Sequence, residues 1–530
     1  MMEYSGSNAT ELGTRSAGVA SNVMYGKLVG VMIGGVTFII VAKLLGASGY
    51  GIYTLALGAA GAFGAFANLS IGQYFQKQIP GLSAKNDWAE ISRVIGSGTV
   101  IMLAVVVALT AVGLAFSTEI AGLFGGAGVT EVIEIALLSI ISTALFSNLY
   151  SGLIAFGEGY KSAVANIANT SVQFLVSVGL VLLGFGAGGA VAGVVVGQMI
   201  GAGLMFIWIN RRTEIRVDLQ HLRDNYRKML SFSVPLTGSS IVSGLGSSVP
   251  VLLLGAIVST GIVGSYGVSV KMWNFIDIIV GSISIVLIPM FAAAYSQERI
   301  KSKIDRLFSY SLYFGFLFTT PAIVYMIVFS GNIVNVLFSP TYPGAALYIS
   351  LAAVSLLIGI IGIFGTALAT SNGDVMEVFI YSVVTFAVEL LLIWALVSYS
   401  GRLGIGQVGI GAGFVAAVSI AGSITTDLLY MHYIKSKLKL RVNYNVSRVL
   451  AANLVVGAIM AAVLYLGFSQ FIQMVIGIAV LVVAYPPVIA YMRAINSDDI
   501  KILRESSKNI PVFGWIFRSM LDYAEFAVRT

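Results

Sequence analysis

The sequence predicts an all-α polytopic membrane protein of about fourteen spanning helices, and three observations carry that prediction. Of 530 residues, 58% are hydrophobic and only 10% charged, with a mean hydropathy of +0.93, whereas soluble domains carry about 25% charged residues. Apolar runs of about 20 residues, enough to cross the hydrocarbon core, recur along the whole chain. The basic residues fall on alternate connections between those runs, as the positive-inside rule requires.

Taken in order, the apolar runs lie at 18–43, 50–76, 92–116, 132–156, 162–184, 187–209, 230–257, 263–291, 307–330, 345–369, 376–399, 407–433, 447–468 and 471–493. With the N-terminus in the cytoplasm, about 26 of the 30 Lys and Arg fall on inner connections or the inner tail. The densest group is Arg211, Arg212, Arg216, Arg223, Arg227 and Lys228. Lys43 and Arg402 fall outside, and Lys27 and Lys271 fall within spans. One helix more or fewer upstream would invert the later loops and destroy the asymmetry. The net charge of +7 therefore reflects topology and anionic lipid headgroups, with no nucleic-acid partner implied. Both termini are expected in the cytoplasm and the protein in the cell membrane.

An internal repeat organises the spans. Leu44-Leu45-Gly46-Ala47 precedes Gly49-Tyr50-Gly51-Ile52-Tyr53, and Leu253-Leu254-Gly255-Ala256 precedes Gly264-Ser265-Tyr266-Gly267-Val268. Each copy closes one apolar run and opens the next. The reading is two parallel six-helix lobes, 1–209 and 230–434, joined by a charged linker at 210–229. Helices thirteen and fourteen at 435–495 are an added pair, and 496–530 is expected to lie as an amphipathic segment on the inner surface. Parallel repeats of this kind hold substrate near mid-membrane between the halves.

The chain has no cysteine and two histidines, His221 and His432, so thiolate chemistry and a histidine metal centre are not expected. No cleaved leader is expected, because the first apolar run is too long for a signal-peptide core. No external loop is long enough to house a catalytic constellation, which argues against a membrane glycosyltransferase or polymerase. The protein is read as a carrier and not an enzyme.

Several motifs give the chain a family resemblance. Ala42-Lys43-Leu44-Leu45-Gly46-Ala47-Ser48-Gly49-Tyr50-Gly51-Ile52-Tyr53, Ser70-Ile71-Gly72-Gln73 and Leu183-Gly184-Phe185-Gly186 are three of them. Val336-Leu337-Phe338-Ser339-Pro340-Thr341-Tyr342 and Asn372-Gly373-Asp374 are the others. With them the chain resembles the polysaccharide transporter branch of the multidrug/oligosaccharidyl-lipid/polysaccharide (MOP) flippase superfamily. The resemblance implies the MATE-like fold of two six-helix lobes. It also implies translocation of a polyprenyl-(pyro)phosphate-linked glycan from the cytoplasmic to the outer leaflet, working as a monomer, with glycan-assembly enzymes as possible associates. A cation-coupled multidrug exporter of the MATE type is the alternative, and the basic character of the first lobe's deep charge argues against it.

Lys27 and Lys271 are the leading site candidates, because a charge at membrane depth is costly and marks a pathway. Gly30 and Gly34, at helical spacing from Lys27, would leave room for a bulky anionic headgroup. Asn274 lies beside Lys271, and Asn68 and Gln73 are the polar residues inside the second run. The resemblance implies that basic residues of helices one, two and eight line the cavity and bind the lipid phosphate. Glu389, Asp277 and Asp427 are candidates for coupling transport to Na+ or H+; no resident cofactor or metal is expected. An ion pair between Lys271 and Asp277 is disfavoured, since six helical positions separate them by about 9 Å along the axis. Glu158, at a helix end, is expected to be solvated.

Overall fold

A chain crossing hydrocarbon must satisfy its own backbone hydrogen bonds, and among the described residues every regular element is helical. The computed structural model describes residues 6–67, 69–214, 222–295, 300–338, 340–440 and 446–495. The expected amphipathic tail lies outside the described residues, as does Asn68.

Ten helices among the described residues are long and apolar enough to cross a membrane, or eleven with the bent pair Ala345–Ile358 and Ile360–Ser371 counted as one span. Two of the ten are double. Val23–Ala67 has 45 residues, about 68 Å at 1.5 Å per residue, twice the hydrocarbon thickness. Its one non-helical residue is Gly46, at φ 65°. Gly159–Thr213, of 55 residues, breaks likewise at Gly184, φ 93°. Left-handed backbone at these two points is open to glycine at little cost, so each run divides into two spans. With the further helix Thr260–Tyr295, the described helices account for the predicted fourteen. They are numbered below as spans one to fourteen.

The second run departs from expectation. Predicted as one helix over 50–76, it stops at Ala67 and restarts at Ile71 after a left-handed Ser70, φ 53°. The Ser70-Ile71-Gly72-Gln73 motif therefore marks a helix break within the second apolar run.

By its contacts the chain forms two compact units, Met1–Gly267 and Val268–Thr530. In the first, glycines let spans two, seven and eight meet at backbone distance. A Cβ on Gly51 would overlap the Thr260 carbonyl, and one on Gly264 would overlap the Ala47 carbonyl. Gly61 rests on Ser248 and Gly244 on Ala65. Gly51 and Gly264 of the repeat motifs thus serve close packing, whereas Gly46 serves the turn. Gly193, Gly197 and Gly201 serve the same purpose against Ser177 and Asn169 of span five.

The same sequence interval that separates Tyr50 from Tyr266 separates Gly157 from Gly373 and Glu158 from Asp374. Gly157 (φ 74°) and Gly373 (φ 82°) make equivalent turns. Each following carboxylate pairs with a base at the end of the second helix after it, span six or span twelve. Arg212 Nη1 lies 2.6 Å from Glu158 Oε1, with Lys161 also on Glu158, and the guanidinium sits 5.3 Å from the Trp88 ring centre. Glu158 is therefore ion-paired at a solvent-accessible helix end. Lys437 Nζ lies 2.8 Å from Asp374 Oδ1 and also contacts Glu377. Tyr433 Oη donates to Asp374 Oδ2 at 2.5 Å. Partial burial pushes the Asp374 carboxyl up, but hydrogen bonds from Lys437, Tyr433 and Asn372 outweigh it and hold the group below its usual range.

In the second unit, spans thirteen and fourteen dock on span nine, with Tyr485 Oη donating to Leu317 O at 2.6 Å. Tyr313 Oη donates to Ala494 O at 2.5 Å. Side chains such as Leu183 (74% exposed), Leu454 (74%) and Trp394 (65%) face outward, an apolar coat that suits lipid and not water.

Gly51→Ala should force spans two and eight apart and lower stability in detergent by about 1–3 kcal/mol, as overpacking does. Gly64→Ala, beside open space, should stay within about 0.5 kcal/mol. Thermal unfolding of the two variants measures the difference.

Candidate functional site

Lys27 is exposed on span one, and among the described residues its ammonium has no ion pair or hydrogen bond. The glycines near it do not all serve a ligand. Gly26 packs on Ala163, and Gly30 packs on Asn166, whose Nδ2 donates to Gly26 O at 3.0 Å. Only Gly34 borders open space. Lys271 and Asn274 are exposed on span eight. Asp277 is half-buried and does not pair with Lys271, in line with the axial separation. Trp273 Nε1 beside them is buried without a partner. Gln73 is exposed on the short helix Ile71–Ala84 that follows the Ser70 break.

The carboxylates occupy different settings. Asp427 of span twelve accepts a 2.7 Å bond from Gly362 N–H. Gly362 lies in the first turn after span ten bends by 47°, where N–H groups lose their helical acceptors. Asp427 therefore caps a broken membrane helix. Glu389 is one of three buried residues on span eleven, with Ile393 and Ser400, and packs against Gly422 of span twelve. Among the described residues its carboxyl has no hydrogen-bond partner. The Thr385 and Thr426 hydroxyls, one turn along, bond to each other at 3.1 Å.

The first unit also forms a half-open cavity of about 440 Å³, lined by spans two, three, four, six and seven. Its lining carries no charged residue, so it is a different feature from the cationic hollow that the two lysines predicted. Neither Lys27 nor Gln73 lines it. Gln198 Oε1 accepts from Thr143 Oγ1 (2.9 Å) and lies 2.7 Å from Ser142 Oγ, whose single proton also reaches Ser139 O at 3.1 Å, while the Gln198 N–H₂ has no partner among the described residues. Asn148, 5% exposed, has neither Nδ2 nor Oδ1 bonded. The broken segment of span two borders the cavity through Ala67, Leu69, Ile71 and Gly72. Discontinuous helices of this kind line binding sites in transporters.

Sequence reasoning missed this cavity, although a signal was present. Ser139, Thr143, Ser147 and Ser151 recur every four residues on span four, a polar stripe along one face of the helix.

The profile of the polysaccharide biosynthesis protein family matches residues 17–294, more than half of the chain. The chain belongs to that family. No curated protein matches it. Several solved structures share the fold of this polysaccharide biosynthesis family member. An inward-facing multidrug resistance MATE family transporter of the MOP superfamily aligns at TM-score 0.64 and 16% identity, over 79% of this chain and 99% of that one. The lipid II flippase MurJ, in an inward closed conformation, aligns at TM-score 0.62 and 14% identity, over 88% and 97%. A MOP superfamily transporter from Pyrococcus furiosus, described as having a binding pocket of reversed polarity, aligns at TM-score 0.53 and 16% identity, over 81% and 96%. The MATE-like MOP fold expected from the sequence is therefore the fold observed.

Asp427→Ala should release the Gly362 N–H and lower stability by about 1–3 kcal/mol, the cost of an unsatisfied buried donor. Asp427→Asn keeps an acceptor and should lose less. Thermal unfolding of both variants in lipid nanodiscs gives the comparison.

Proposed function

We propose that this protein is a flippase carrying a polyprenyl-(pyro)phosphate-linked oligosaccharide from the cytoplasmic to the outer leaflet of the cell membrane. Two parallel six-helix lobes would rock about the substrate in alternating access. Membership of a polysaccharide biosynthesis family supports a glycan cargo, and the shared fold of a lipid II flippase supports a lipid-linked one. The observation that carries the reading is the pair Lys27 and Lys271, each on a spanning helix and without a carboxylate partner among the described residues. An ammonium at membrane depth needs an anion, and lysine binds phosphate as a point charge whose attraction grows as water is excluded. A basic deep charge in the first half disfavours a cationic drug as cargo.

In proteoliposomes, the Lys27→Ala, Lys271→Ala double variant should translocate a labelled polyprenyl-linked glycan about tenfold more slowly than wild type, roughly 1.4 kcal/mol in barrier. Unchanged sidedness kinetics would remove both lysines from the mechanism.

Glu389 is the proposed coupling group for Na+ or H+. It is a buried carboxyl without a partner on a span otherwise facing lipid, and such a group is costly unless it exchanges an ion. Asp427 is already engaged as a cap, which leaves it less suited. Glu389→Gln should abolish any dependence of transport on a Na+ or pH gradient and retain gradient-independent exchange. Persistence of that dependence in the flux assay would clear Glu389.

A further inference from the structure

We propose that the cavity of the first unit holds the sugar portion of the cargo, and that it selects uncharged, hydroxyl-rich saccharides over anionic ones. The inference rests on the flippase reading and names the substrate class. Lysine chemistry addresses only a phosphate, and the glycan needs separate contacts to cross the hydrocarbon.

The cavity supplies them. Asn148 offers a donor and an acceptor, both buried and both unbonded. A buried amide without partners is unfavourable, and sugar hydroxyls, which donate and accept, satisfy both ends at once. Gln198 keeps its N–H₂ unbonded while Thr143 holds its oxygen, so the amide is oriented before a ligand arrives. Ser139, Ser147 and Ser248 add hydroxyls to the wall. A volume of about 440 Å³ falls within the ~300–1,000 Å³ of small-molecule sites.

Charge selectivity follows from what the wall lacks. No lining residue is charged, so a uronate carboxylate seated there would be desolvated without a counter-charge. That is discrimination by penalty against the wrong cargo. An acyl chain is a poor occupant, because it would leave the Asn148 amide unbonded.

The test uses full-length protein in nanodiscs and three probes. They are a bare polyprenyl diphosphate, the same lipid bearing a neutral hexose disaccharide, and the same lipid bearing a uronate-containing disaccharide. Wild type should bind the neutral glycolipid about tenfold more tightly than the bare lipid, the worth of one or two net hydrogen bonds. The uronate form should bind no better than the bare lipid. Asn148→Leu and Gln198→Leu should erase the neutral-sugar gain and leave bare-lipid affinity unchanged. Gly64→Leu, whose side chain enters open space, should do the same by filling. Asn148→Leu should melt no lower than wild type, since it removes an unsatisfied amide, which separates lost recognition from lost folding.

No gain from the neutral sugar, equal gain from the uronate, or an equal weakening of the bare lipid by these variants would each overturn the proposal. If no polyprenyl diphosphate binds, yet the free neutral disaccharide binds wild type and not Asn148→Leu, the cavity assignment stands and the flippase reading falls.

Discussion

Hydrocarbon offers no water to a free N–H or C=O, and that single constraint shapes most of this chain. It makes the described elements helical, and it makes each interruption of a helix a place where something else must take up the backbone groups. At Gly46 and Gly184 the interruption is a turn between spans. At Gly359 it lies inside span ten, and the Asp427 carboxylate from span twelve receives a freed N–H. At Ser70 it lies inside the second run, beside an uncharged cavity.

Close packing is the second consequence. Between apolar helices in lipid there is little hydrophobic gain, so association rests on contact at short range. Gly51 and Gly264 bring backbones together where any larger residue would overlap a carbonyl. The paired turns at Gly157 and Gly373, each followed by an ion-paired carboxylate, show the duplication surviving as physical function. Arginine and lysine have exchanged places, but a carboxylate still ties each connection to the second helix after it.

Polar groups then divide by whether they are spoken for. Asp427, Glu158 and Asp374 have partners that explain their presence. Lys27, Lys271, Glu389 and Asn148 have none among the described residues. A membrane protein keeps such groups at a cost in stability, which is why they carry the functional reading: cations for a phosphate, a carboxyl for an ion, an amide for a sugar.

Composition and the spacing of apolar runs were enough to determine the helical class, about fourteen spans and the repeat, because hydrocarbon imposes length and polarity on each segment separately. The glycine hairpins at Gly46 and Gly184 were legible for the same local reason. The broken second span was not, since nothing in the order of residues distinguishes Ser70 in a left-handed turn from serine in a helix. Nor were the roles of the polar residues. Asp427 and Glu389 read alike as lone acids in apolar runs, and only packing gave one a backbone N–H and the other a glycine face. The cavity gathers residues from five helices far apart in the chain, so its neutral wall became visible only when tertiary structure brought those faces together.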